Sequence, residues 1–126
     1  MRAPKFRAWT EEGKAMYYDV YPFKDDTLLL SYDEVAFDEV PASDFILMQS
    51  TGIKDRYGEE IFEGDIIKFS IDNGFYYVVD EIGSVRYQLG AFHVDVFPLV
   101  DLIWDSELEV IGNVYETKDL QDLLKD

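Results

Sequence analysis

The segment from Leu47 to Phe69, LMQSTGIKDRYGEEIFEGDIIKF, places two tight corners among apolar anchors. At the first corner, Asp55 can accept hydrogen bonds from backbone N–H groups, and Gly58 can adopt a positive φ. At the second corner, Gly64 and Asp65 lead directly into the apolar run IIKFSI. The combination fixes the local architecture as short extended segments joined by turns.

Beyond this segment, apolar and polar residues alternate with a period of two, as strands with one buried face require. The alternation is found in residues 66–71, 84–89 and 92–96. Gly83 and Gly90 lie between these runs, where hairpins or bulges use glycine. The order of corners and runs predicts a mainly β protein, in which a meander of antiparallel strands forms a small SH3-like barrel.

Both ends of the chain carry weaker signals. Phe6–Trp9 and Ala15–Asp19 predict a hairpin and residues 27–31 a buried strand, which together form an N-terminal β extension. Residues 32–44 show neither period and indicate a connector. A last strand is predicted over residues 109–115.

Gly112 is the expected bulge or close-approach point inside this last strand. After it, Thr117 can cap a short C-terminal helix, because the leucines of LQDLLKD follow at helical spacing. At 126 residues the chain has the size of a single domain. We therefore expect one domain over 1–126, with an N-terminal β subregion at 1–44 and the barrel core with its terminal helix at 45–126.

The composition favours a soluble, folded protein. Hydrophobic residues make up 48% of the chain, with nine Tyr and nine Phe, which is ample material for one core. Cysteine is absent, so that disulfides and thiolate metal sites are excluded, in keeping with a reducing bacterial cytoplasm. No run approaches the roughly 18 apolar residues of a membrane span. We expect a cytoplasmic protein without membrane contact.

The chain is strongly acidic, with 27 acidic and 11 basic residues and a net charge of −16. Binding to nucleic acid requires Lys and Arg to displace counterions from phosphates, and such residues are too sparse here to form a stripe. Nucleic acid is therefore not an expected partner. A basic protein, in contrast, would be attracted to this charge.

Candidate catalytic groups are few. His93 has only Asp95 beside it on a predicted strand, and the pair lacks a nucleophile. The paired acidic residues lack the D-x-D-x-D-G spacing of a calcium loop, and HExxH, GxSxG and glycine-rich phosphate motifs are absent. We expect no enzyme activity, no catalytic or metal-binding residue and no cofactor.

Aromatic and aliphatic side chains are the candidate contact residues, because large apolar groups on a small barrel are typical binding anchors. The stretch FPLVDLIW at residues 97–104 is too apolar for a solvated loop. It either completes the core or makes a protein contact, for which self-association is the natural use. The candidate contact residues are Trp9, Phe97, Leu99, Leu102, Ile103 and Trp104.

Three motifs together resemble the YopX-like family of phage and prophage proteins. They are FRAW at Phe6–Trp9, the central segment Leu47–Phe69, and EVIGNVYET at Glu109–Thr117, in matching order and spacing. Ser50 stands where the family has an aromatic residue, and residues 19–44 match no motif. The resemblance implies an SH3-like core with an N-terminal extension and a phage or prophage setting, and it carries no catalytic residue over.

We therefore expect a phage or prophage accessory protein that acts as a self-associating protein–protein interaction module. The alternative is an inhibitor that imitates nucleic acid and occupies a basic host protein. A third hypothesis, nucleic-acid binding through basic residues near the N-terminus, is disfavoured by net repulsion. The interaction-module and inhibitor hypotheses are distinguished by whether the early acidic residues, between positions 19 and 44, form one contiguous face or are spread evenly. These are Asp19, Asp25, Asp26, Asp33, Glu34, Asp38, Glu39 and Asp44.

Overall fold

The computed structural model describes residues 5–33, 35–72, 74–75, 77–95, 97–102 and 107–117. These residues form antiparallel strands and two short 3-10 turns, which confirms the prediction of a mainly β protein. The chain divides into two compact units, residues 1–50 and 51–126. The division falls after the predicted boundary near residue 44, because Ile46–Gln49 pair with the first strand of the chain.

The unit of residues 1–50 is built on an antiparallel sheet in the order β4-β3-β2-β1-β5. Its strands are β1 (Phe6–Thr10), β2 (Ala15–Pro22), β3 (Thr27–Ser31), β4 (Phe37–Pro41) and the first part of β5 (Ile46–Lys54). One face of the sheet buries Ala8, Val20, Leu28 and Leu30. The predicted hairpin and buried strand are thus confirmed as β1, β2 and β3.

The predicted connector contains a strand that the sequence pattern does not reveal. β4, with the sequence FDEVP, pairs with β3 along its whole length. It lies at the edge of the sheet, and only Val40 is partly buried. An edge strand with so little burial has no need of apolar alternation, which explains why the pattern is missing.

The unit of residues 51–126 contains the second part of β5, which neighbours β6 (Glu60–Phe62), and a five-stranded sheet. The sheet has the order β10-β9-β8-β7-β11, so that the last strand returns to pair with the first strand of the meander. Its strands are β7 (Asp65–Asp72), β8 (Tyr77–Gln88), β9 (Ala91–Val94), β10 (Phe97–Pro98) and β11 (Glu109–Asn113), with a 3-10 turn at Leu99–Leu102.

A closed barrel is not found among the described residues, since β10 and β11 remain the two edges of this sheet. β10 has only two residues, and one of them, Pro98, has no N–H to donate to a neighbouring strand. The predicted C-terminal helix lies outside the described residues, which end at residue 117. Within the described ranges, no helix is long and apolar enough to cross a membrane.

β8 is longer than predicted and passes straight through Gly83, where a turn or bulge was expected. Gly83 is buried, and a Cβ atom at this position would lie 2.5 Å from Cγ1 of Val94. Glycine is therefore required by close packing of β8 against β9 rather than by a turn. Gly90 does lie in a turn, with φ of 82°.

Candidate functional site

Most of the predicted contact residues lie inside the protein. Trp9 is only 3% exposed, and its Nε1 donates a hydrogen bond of 2.9 Å to Oε2 of Glu11. Leu99 and Leu102 are buried in the core of the second unit. Side chains without exposed area cannot anchor a partner, so the expectation of a contact is corrected for these three residues. Leu99 and Leu102 instead agree with the other possibility stated for residues 97–104, namely that this apolar stretch completes the core.

The other predicted contact residues are placed differently. Phe97 is partly buried, and its ring meets the ring of Phe69 edge to face, with 6.0 Å between the centroids. Ile103 and Trp104 lie outside the described residues. Of the six candidates, Phe97 alone is described with some exposed surface, and it packs against the core.

The first corner of the central segment is organised around the Asp55 carboxylate. Oδ1 of Asp55 accepts hydrogen bonds of 2.9 Å from the N–H groups of Tyr57 and Glu59, and Oδ2 accepts one of 2.9 Å from the N–H group of Val110. Gly58 closes the turn with φ of 83°. The carboxylate therefore stabilises the turn and also attaches it to β11, 55 residues along the chain.

The second corner connects three parts of the same unit. Oδ2 of buried Asp65 accepts a hydrogen bond of 2.7 Å from the N–H group of Phe62. Gly64, with φ of 88°, donates its N–H to the carbonyl of Val85 and accepts from the N–H group of Val114. Both glycine contacts are made by the backbone, which joins the corner to β8 and to the end of β11.

Gly112 lies where the register of β11 against β7 shifts, between Val110 and Gly112. The predicted corner and bulge residues thus serve the architecture of the second unit. They are Asp55, Gly58, Gly64, Asp65 and Gly112. Each is engaged by backbone groups of its own fold, and we assign them no role in binding.

The described residues offer little to catalysis. His93 places Nδ1 3.1 Å from the carbonyl oxygen of Ala91. β9 ends at Val94, and Asp95 adopts φ of 52°, so that the expected strand-face pair of His93 and Asp95 is not formed. No group of three or more His, Cys, Asp or Glu side chains in the described part of the chain is arranged to hold a metal ion.

The early acidic residues are spread over the first unit. Asp25 and Asp26 precede β3 whereas Asp33 follows it, which places them at opposite ends of a five-residue strand. Asp38 and Glu39 are consecutive on β4, so their side chains lie on opposite faces of the sheet. Glu34 lies outside the described residues. These positions do not make one acidic face.

The carboxyl group of Asp33 has a lowered pKa. Its Oδ1 accepts hydrogen bonds from the N–H groups of Ala36 at 3.0 Å and Val35 at 2.9 Å, and these bonds lower the pKa of the carboxyl group. A weaker bond from the hydroxyl of Ser31 acts in the same direction. The carboxylate closes the loop between β3 and β4, and its role is structural.

Apolar side chains are exposed in groups on both units. On the first unit, Tyr21 of β2 and Phe37 of β4 flank β3, with their ring centroids 5.8 Å apart, and both are about half exposed. On the second unit, Phe75, Tyr77 and Val79 are 92%, 75% and 54% exposed.

Tyr77 and Val79, which we call the apolar row, occupy alternate positions at the start of β8 and therefore share one face, whereas Phe75 precedes the strand. Sequence reasoning missed the row, because residues 77–82 were not predicted to form a strand. The available signal was GFYYVV at residues 74–79, an uncharged run rich in residues that favour strands.

Comparison with known proteins shows similarity to a family model and to a solved structure. A family model described as YopX protein matches residues 5–122. The crystal structure of protein EF1440 from Enterococcus faecalis superimposes with a TM-score of 0.67 and 26% sequence identity, over 95% of this chain and 99% of that chain. No curated protein matches the sequence.

Proposed function

The chain belongs to the YopX family, and we propose that it is a phage or prophage accessory protein that acts as a self-associating protein–protein interaction module. The observation that carries the proposal is the apolar row, whose two side chains are more than half exposed on one face of β8, next to the exposed ring of Phe75 in the sequence. Grouped exposed apolar side chains mark interaction surfaces, because burying them removes apolar area from water. The phage setting rests on the family resemblance.

The finer architecture supports a scaffold role. We infer that the second unit is an SH3-like fold in open form, because the returning strand β11 pairs with β7, the first strand of its meander. Small barrels present loops and strand edges on a rigid sheet without contributing a reactive group. We accordingly propose a non-enzymatic role in the cytoplasm of a bacterial host.

The acidic mimic is the second candidate, and one observation favours it: the net charge of −16 would draw the protein to a basic host protein. The arrangement of the acidic residues favours it less, because Asp25 and Asp33 lie at opposite ends of β3 and Asp38 and Glu39 on opposite faces of β4. A mimic of a phosphate backbone needs its charges in one continuous array.

Light scattering on the intact protein after size-exclusion chromatography tests the proposal. In about 0.15 M salt, where charge repulsion is screened beyond roughly 8 Å, we expect a discrete multiple of the 14.7 kDa chain mass. A monomeric mass at all concentrations would contradict self-association. In that case, capture of a basic nucleic-acid-binding protein from host lysate, released by competitor DNA, would support the mimic.

A further inference from the structure

The sheet of the first unit has a second face, opposite to the face that buries Val20 and Leu30. In the register of the sheet, Tyr21 of β2 lies opposite Leu29 of β3, and Leu29 lies opposite Glu39 of β4. Successive side chains alternate along a strand, and residues directly opposite each other share a face. Because Leu29 precedes the buried Leu30, all three side chains point to the second face.

Two aromatic rings on this face lean toward each other over β3. Phe37 lies opposite Ser31, two residues beyond Leu29, and therefore points to the same face as Tyr21. Neighbouring strands are about 4.8 Å apart, so β2 and β4 are separated by roughly 10 Å, whereas the two ring centroids are 5.8 Å apart. The rings of Tyr21 and Phe37 are 51% and 44% exposed, so their free surfaces are open to a partner.

The turn after β2 adds a third ring and a cation. Phe23 is 53% exposed, and Nζ of Lys24 lies 5.6 Å from the centroid of its ring. The same Nζ lies 3.6 Å from Oε2 of Glu39. The four residues Tyr21, Phe23, Phe37 and Glu39, which we call the aromatic patch, thus already hold a cation between an aromatic ring and a carboxylate.

The ion pair of Lys24 and Glu39 is open to exchange. The two side chains are 65% and 39% exposed, and ion pairs in such positions contribute little to stability. A cation from a partner can therefore take the place of the Lys24 ammonium at Glu39 without loss to the fold.

The charge around the aromatic patch selects a basic occupant. Residues 15–50 contain eight acidic residues and one basic residue, Lys24, which gives this stretch a net charge of −7. Such a stretch attracts a basic segment and repels an acidic one. Arginine suits the patch better than lysine, because its planar guanidinium stacks on aromatic rings and forms paired hydrogen bonds with a carboxylate.

We propose that the aromatic patch binds an arginine-containing segment of a basic protein, with a guanidinium against the rings of Tyr21 and Phe37 and its N–H groups donating to Glu39. This inference rests on the proposed role as a protein–protein interaction module and names the chemistry of a partner. It does not require self-association, and it uses one compact patch rather than the continuous array of charges that a nucleic-acid mimic needs.

Charge variants with matched controls test the carboxylate. The probe is a short fluorescent peptide of alternating arginine and glycine, and its anisotropy is measured in about 0.15 M salt. Glu39→Gln should weaken binding roughly two- to fivefold more than Glu12→Gln, which removes the same charge from the exposed turn between β1 and β2. Lys24→Gln should strengthen binding relative to Lys14→Gln, because Lys14 forms a similar exposed ion pair with Glu11, at 2.9 Å.

A second pair of variants tests the rings. Tyr21→Leu keeps an apolar side chain but removes the aromatic face, and should weaken binding roughly two- to fivefold. Tyr87→Leu is the control, because Tyr87 is 52% exposed and its ring also meets a phenylalanine ring, that of Phe92, at 5.0 Å. A peptide with lysine in place of arginine should bind several-fold more weakly to the wild type. Circular dichroism verifies that each variant is folded.

The outcomes separate this inference from the proposed function. A peptide that binds the wild type but is affected equally by each variant and its control is attracted by the overall charge, which overturns the aromatic patch as its site. A peptide that does not bind at millimolar concentration overturns the inference as well. Both results leave the self-associating module standing, because light scattering without any peptide tests that module.

Discussion

Single residues hold the second unit together, and Asp55 does so most directly, because its carboxylate accepts three backbone hydrogen bonds. We predict that Asp55→Ala lowers the free energy of unfolding by about 2–3 kcal/mol, since partly buried N–H groups lose their acceptor. Asp55→Asn should cost less, because an amide oxygen can still accept from Tyr57 and Glu59, and only the bond from Val110 is lost.

Urea unfolding followed by circular dichroism measures both changes. Asp101→Ala is the control, because Asp101 is exposed on the 3-10 turn of the same unit, and its removal should change stability by less than about 0.5 kcal/mol. The interpretation of Asp55 as the link between the corner and β11 fails if its alanine variant is no less stable than the Asp101 variant.

Gly83 provides a test of packing at a single atom. Gly83→Ala should destabilise the protein by about 1–3 kcal/mol, because the new methyl group would overlap Cγ1 of Val94. Val94→Ala removes the overlapping atom, so the double variant should recover part of the loss caused by Gly83→Ala. A double-mutant cycle measures this coupling. If the effects of Gly83→Ala and Val94→Ala on the free energy of unfolding are strictly additive, contact with Val94 is not the reason that residue 83 must be glycine.

The lowered pKa of Asp33 predicts how the stability of the loop between β3 and β4 depends on pH. Hydrogen bonds from Ala36 and Val35 lower the pKa of the folded state, so the stabilisation is present above the ordinary pKa of Asp and is lost as the pH falls through the lowered value. We expect the amide resonances of Val35 and Ala36 to titrate below the ordinary pKa of Asp, of about 3.9. An NMR titration that gives an unshifted midpoint would contradict the loop geometry.

At the residue scale, the sequence predicts local chemistry well and burial poorly. The corner at Asp55 and Gly58 follows from residues within four positions of one another, so a pattern of residue types suffices to locate it. Trp9, Leu99 and Leu102 are apolar whether they fill a core or bind a partner, and only their tertiary neighbours distinguish the two. The link from Asp55 to Val110 spans 55 residues and has no local signal.

At the scale of elements, the hairpin of β8 and β9 carries an unfavourable residue. Its two-residue turn consists of Leu89 and Gly90, both with positive φ, and Leu89 is fully exposed. Leucine is disfavoured in this conformation, whereas Asn followed by Gly is the preferred sequence. Leu89→Asn should therefore raise the free energy of unfolding by about 0.5–1 kcal/mol.

Leu89→Val is the matched control in this turn, because a β-branched residue tolerates positive φ still less well and should destabilise the hairpin. Thermal or urea unfolding ranks the three proteins. A wild type more stable than Leu89→Asn would show that the leucine side chain makes a stabilising contact of its own.

Element prediction succeeded where one face is buried and failed at exposed edges. β1, β2, β3, β7 and β9 follow from apolar alternation or apolar runs. β4 and the first half of β8 do not, because β4 is an edge strand and residues 77–82 expose most of their side chains. The signal on which the prediction relies, a buried stripe, is weak in these segments. The candidate interaction surface lies in one of them.

For the whole molecule, charge and apolar surface act in opposite directions. Two chains of net charge −16 repel one another, and added salt screens this repulsion. We therefore predict that self-association strengthens between about 0.05 and 0.5 M salt. Binding to a basic partner would weaken over the same range. Light scattering at a fixed protein concentration measures the trend, and an oligomer that dissociates as salt is added would contradict association through apolar side chains.

Hydrogen exchange in the first half of β8 tests most directly that this protein associates with itself through the apolar row. Amides of residues 77–82 should exchange more slowly as the protein concentration rises, because a second copy that covers Tyr77 and Val79 shields this segment from solvent. The edge amides of β4 should not change, which provides an internal control. Exchange at residues 77–82 that is independent of concentration, from the micromolar to the millimolar range, would contradict self-association through the apolar row.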